Sequence, residues 1–124
     1  MTVLVLLLLA LAVAVLLLFN RLVRLRNLVR NAWADIDVQL QRRHDLVPQL
    51  VAAVKGYAGH EHALLAAVTE LRSRAMAQQA PSALGEIEGS LQAALGKLVL
   101  LAEAYPELKA SANFLQLQRD LVDV

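Results

Sequence analysis

Apolar residues fill all but one of the first 19 positions, and from Asn20 onward they recur at intervals of three and four. The unbroken run Val3–Phe19, with Met1 and Thr2, makes a helix about 28 Å long, close to the ~30 Å of a bilayer core. This predicts a spanning helix over residues 1–19. Beyond it, Leu22, Leu25, Val29, Ala32, Ile36 and Leu40 form the stripe of an amphipathic helix. No breaker separates the two, so the spanning helix is expected to continue into the stripe to about Arg43. A second stripe runs through Leu84, Ile87, Leu91, Ala94, Leu98, Leu101 and Tyr105. A third, less regular, runs through Leu50, Val54, Tyr57, Leu64, Val68, Leu71 and Ala75.

Turn-forming residues divide the stripes. Asp45 and Pro48 predict a helix start, since proline is tolerated in a first turn; a kink in one continuous helix is the alternative. Gln78–Ser82 is a polar connector, and Tyr105-Pro106 ends the stripe that follows it. Ser111 is suited to cap a last helix bearing Phe114, Leu117, Leu121 and Val124. Gly56 and Gly59 fall inside the predicted second helix, where close helix–helix approach would explain them. The predicted fold is all-α: an N-terminal transmembrane helix (1–19) continuing into an antiparallel up-down bundle (20–124). Its last helix is short, as if truncated, and three helices with a stub leave an apolar groove uncovered.

Composition strengthens this reading. Leu and Ala supply 49 of 124 residues, favouring helices over strands. Cysteine is absent, which excludes a disulfide framework, a Cys-ligated zinc module and a lipoprotein anchor. A cleaved signal peptide competes with the anchor for the apolar block. However, no Lys or Arg precedes the run, and its small-x-small triplets lie inside it.

Charge sets the expected topology. Arg21, Arg24, Arg26 and Arg30 follow the block, with no acidic residue until Asp35. The positive-inside rule then puts the N-terminus outside and the helical body in the cytoplasm, as a single-pass protein of the cell membrane. Segment 20–44 carries six Arg and two Asp, net +4, against six basic and nine acidic residues, net −3, in 45–124. A total near +1 with few aromatics argues against nucleic-acid binding. Arg42, Arg43 and His44 form a second basic cluster, expected at the membrane-distal tip.

The blocks Asn20–Asn27, Ala32-Trp33-Ala34-Asp35-Ile36-Asp37-Val38-Gln39-Leu40, Arg42–Pro48, Val54-Lys55-Gly56-Tyr57, Ala102–Ala110 and Asn113-Phe114 are colinear with a familiar pattern. Together they resemble the bacterial LemA family of membrane-associated helical proteins across nearly the whole chain. The resemblance implies an N-terminal spanning segment and a helical body, and no agreed catalytic activity, cofactor or metal. Family members are often encoded near membrane proteases or other envelope proteins, which hints at partners of that kind. Two features depart from the pattern. The family's last helix normally runs several tens of residues further, and His62 stands where another residue, often Arg, follows the His-Glu pair.

No residue set converges on catalysis. His60-Glu61-His62 places its histidines two apart, whereas a zincin site needs four. Asp35 and Asp37, also two apart, do not face each other on a helix. Ser73, Ser82, Ser90 and Ser111 have no histidine near them in sequence, and the five glycines form no phosphate-binding loop. Trp33 lies about 21 Å along the helix from Phe19, too far for an interfacial aromatic belt, and is expected at the bundle seam or as a partner contact. The sequence therefore predicts no catalytic, cofactor or metal residues and no small-molecule substrate. It predicts an interaction or scaffold module whose partners are the bilayer and either a second copy or another membrane protein. The competing readings are a membrane-tethered hydrolase or metalloenzyme using His60, Glu61 and His62, and an exported envelope domain released by signal cleavage.

Overall fold

The computed structural model describes residues 1–124 as five helices without strands. They are α1 (Thr2–Lys55), α2 (His62–Ala77), α3 (Pro81–Ala102), the single turn α4 (Pro106–Lys109) and α5 (Ala112–Val122). The chain divides into two compact units, Met1–Val38 and Gln39–Val124.

In the first unit every residue is exposed. Here α1 contains the one segment of the chain long and apolar enough to cross a membrane, and none of that segment is buried.

The second unit is built from the last turns of α1 and from α2 to α5. Val47, Leu50 and Val54 of α1 meet Leu65 and Val68 of α2 and Leu91, Leu95 and Leu98 of α3. Leu108 of α4 and Phe114 and Leu117 of α5 close the same core. Each set is spaced by three or four residues, so helical geometry brings it to one face. Burying each of the larger side chains stabilises the fold by roughly 1.5–3 kcal/mol.

The helix start expected near Asp45 is absent: α1 runs through Pro48 without interruption. Proline has no N–H for the carbonyl four residues earlier, that of His44. Arg72 of α2 supplies the missing donor, its Nε–H reaching the His44 oxygen at 2.6 Å. A tertiary hydrogen bond therefore replaces the helical one, and a local breaker is tolerated.

The chain reverses later, across residues 56–61. Ala58 N–H donates to Val54 O at 2.7 Å, and Glu61 N–H to Ala58 O at 3.1 Å, which coils the backbone into the turn. Gly56 and Gly59 belong to this turn and not to a helix interior. At Gly59 a Cβ would come within 3.0 Å of the Lys55 carbonyl, so the tight return favours glycine.

This shift changes which part of α1 is packed. With 16 residues, α2 can pair with only about the last 16 of α1, roughly 40–55. The packed stretch is thus displaced toward the C-terminus from the expected 20–43.

The remaining boundaries agree with the sequence. Pro81 opens α3, and the side-chain carbonyl of Gln78 accepts from the N–H groups of Gln79 and Ala80 in the connector. Ser111 caps α5, its Oγ accepting from Phe114 N–H at 3.4 Å.

Candidate functional site

The arginines expected to flank the membrane, Arg21, Arg24, Arg26 and Arg30, are all exposed on the first unit's part of α1. At about 100° per residue they are distributed around the helix and do not form one basic face. None of them is ion-paired. Asp35 and Asp37 are exposed on the same stretch and point to different sides.

Trp33 is 48% exposed, so the expected place at the bundle seam is not observed. Trp33 belongs to the first unit, in which every residue is exposed. The same holds for the stripe around it. Leu22, Leu25, Leu28, Val29 and Ile36 are all between 45% and 65% exposed.

Beside the short last helix some apolar surface is open, Leu115 and Val122 of α5 being 43% and 81% exposed. On α5 an open depression is lined by Leu115, Gln118, Arg119, Val122 and Asp123, of which only Leu115 and Val122 are apolar. The larger uncovered apolar face lies on α1.

Arg42, Arg43 and His44 do not lie at a tip, since α1 continues for three further turns. Arg42 is exposed, while Arg43 and His44 enter a polar junction that sequence reasoning missed. Glu88 of α3 is its centre. The Nε2–H of His44 donates to Glu88 Oε1 at 2.5 Å, because an ionised carboxylate only accepts. The Arg43 guanidinium lies 3.4 Å from Glu88 Oε2 and also donates to the side-chain carbonyl of Gln92. Arg72 reaches the His44 carbonyl from the other flank. The side chains of His44, Glu88 and Arg43 are only 7%, 11% and 18% exposed.

The junction satisfies most of its polar atoms, leaving Arg43 Nε buried without a partner. A signal for it existed in the sequence. His44 lies three and four residues from Val47 and Leu40, and Glu88 three and four from Leu91 and Leu84, so both occupy inward positions of apolar stripes. Polar and ionisable residues at such positions pair with one another when the helices meet.

His60, Glu61 and His62 are not gathered into a ligand set. His60 Nε2 shares a 2.6 Å hydrogen bond with the Tyr105 hydroxyl and lies 3.7 Å from Glu61 Oε1. His62 opens α2 and is exposed. Nowhere do three or more His, Asp or Glu side chains assemble in a metal-binding arrangement. Ser90 and Ser111 hydrogen bond to helix backbone.

These features describe a helical body with one internal ionic junction and one long exposed apolar stripe. The family model that matches this chain, described as the LemA family, covers residues 32–124. The chain belongs to the LemA family. Protein LemA of Metamycoplasma hominis is 27% identical over 106 residues, covering 82% of this chain and 47% of that protein. The chain thus spans about half the length of this curated relative. LemA is not known as an enzyme family. The family match begins at Ala32, so it takes in Trp33, the ionic junction and the core but not the apolar block.

Proposed function

We propose that this LemA-family chain is a single-pass membrane protein whose cytoplasmic helical body serves as an interaction or scaffold module. The observation that carries the reading is the apolar block of α1, of bilayer length and wholly unburied. Seventeen consecutive apolar residues left in water would be strongly unfavourable, and a bilayer removes that cost. Arg21, Arg24, Arg26 and Arg30 follow the block directly and favour an N-out, C-in topology. The same arginines can interact with anionic headgroups at about 1 kcal/mol each near the surface. The partners in this reading are the bilayer and either a second copy or another membrane protein, such as a membrane protease.

Alkaline carbonate extraction and a pair of C-terminal reporters test the anchor and the orientation. The chain should stay with the membrane pellet. A fluorescent protein at Val124 should be bright, and a phosphatase active only outside the cytoplasm should be silent. Release into the supernatant would refute the anchor, and an active phosphatase would refute the orientation. A mature N-terminus beginning after residue 12 would instead favour the exported domain.

A further inference from the structure

The exposed stripe of α1 has a finer register than simple amphipathicity. Leu22, Val29 and Ile36 are seven residues apart, and Leu25 and Ala32 repeat the same interval three residues on. These are the a and d positions of a heptad pattern, with Leu28 and Trp33 flanking them at g and e. Two of the three a residues are β-branched and the first d residue is leucine, the combination that favours a parallel two-stranded coil. In the single chain all five positions are exposed. Arg24 and Arg30 fall at c and b, and Asn27 and Ala34 at f, away from the seam.

We infer that residues 22–36 of α1 form a parallel seam with the same residues of a second copy. This rests on the membrane anchoring proposed above, which gives two copies the same direction. The a and d register, in which each layer can pair with itself, points to a second copy as the occupant. Two chains anchored with the same topology present Leu22, Leu25, Val29, Ala32 and Ile36 at matching depths. Each layer then meets its own counterpart, as a two-fold interface requires. An antiparallel arrangement is incompatible with a shared topology.

Size agrees with an anchored dimer and argues against a free one. Two heptads bury well under the ~1,200 Å² total typical of a stable standalone interface. Confinement of both copies to one membrane raises their effective concentration and makes a short seam sufficient. At the membrane-proximal end Arg21 and Arg26 meet across the seam as like charges, which weakens the first layer. From Leu25 to Ile36 the layers contain no such pair.

The natural chain has no cysteine, so single-cysteine variants report without background. The 124-residue chain is prepared in isolated membranes with cysteine at Leu25, Val29, Ala32 or Ile36, or at Asn27, Asn31 or Ala34, and mildly oxidised. A disulfide requires Cβ atoms within roughly 4.5 Å, which a parallel seam provides only near a and d. The expected result is a dimer band at least about tenfold stronger for the first set than for the second. Adding Ile36→Lys to Ala32→Cys should abolish the band. Equal crosslinking on all faces, a maximum at Asn27 and Ala34, capture of a different protein, or no crosslinking in a membrane-retained chain would each overturn the seam. Loss of the chain from the carbonate-washed pellet would overturn the anchor instead, so the two failures are distinguishable.

Discussion

Replacing Glu88 with Ala removes the one acceptor shared by Arg43 and His44. Their side chains are 18% and 7% exposed, so water cannot fully solvate the groups left behind. Breaking a buried ionic pair by deleting one partner costs about 3–5 kcal/mol. A compact unit of this size has a total stability of roughly 4–13 kcal/mol, so the loss is a large share of the whole. Each kcal/mol moves the midpoint of such a domain by about 4–8 °C, which predicts a fall in Tm of about 12–40 °C. Circular dichroism at 222 nm on the full chain in nanodiscs, melted alongside the parent protein, reads the change. The desolvation argument makes a second demand. Replacing the trio together with apolar residues, Arg43→Met with His44→Leu and Glu88→Leu, should restore the parent stability or exceed it by ~1–4 kcal/mol. If Glu88→Ala melts within about 0.5 kcal/mol of the parent, the junction contributes no ionic stabilisation and the reasoning fails. If the triple variant is no more stable than the single one, packing and not buried charge controls the site.

A double-mutant cycle tests the link between Pro48 and Arg72. Arg72→Met should cost about 1–3 kcal/mol in the parent and about 1 kcal/mol less in a Pro48→Ala background, where the backbone N–H restored by the substitution can serve the His44 carbonyl. Denaturant midpoints give both values, and purely additive effects would refute the link. Gly89 sits on the exposed side of α3, and a methyl added there would meet nothing within 4 Å. Gly89→Ala should therefore stabilise the body by about 0.5–1 kcal/mol, seen as a raised Tm. Ser111→Ala should cost about 0.5–1 kcal/mol, the low end for a cap because its hydrogen bond is long. Accelerated amide exchange in the first turn of α5 would register that loss.

Most of the helical content was legible because apolar spacing records which face of a helix is buried. The connector at Gln78–Ser82, the break at Pro106 and the cap at Ser111 were legible for a related reason: their backbone chemistry is local. Pro48 misled because its effect is decided by Arg72, 24 residues away, and no local rule contains that donor. Gly56 and Gly59 carried the opposite signal, being two helix-weakening residues close together just after Lys55. Reading them as the turn would have placed the packed part of α1 correctly. Periodicity also predicted the stripe from Leu22 to Ile36, but spacing shows that a face is apolar and not what covers it. For the junction, the inward registers of His44 and Glu88 were visible in sequence. Their pairing depends on how α1 and α3 are aligned, which a single sequence does not reveal.

The ionic junction also sets an order of events during synthesis. His44 and Glu88 are 44 residues apart, so at about 5–20 residues per second the carboxylate is made roughly 2–9 s after the imidazole. Val47, Leu50 and Val54 share the wait, because α3 supplies much of the surface that buries them. For those seconds the core face of α1 is complete but has only α2 to cover it. The nascent chain is most open to wrong contacts from that interval until α4 and α5 have closed the core.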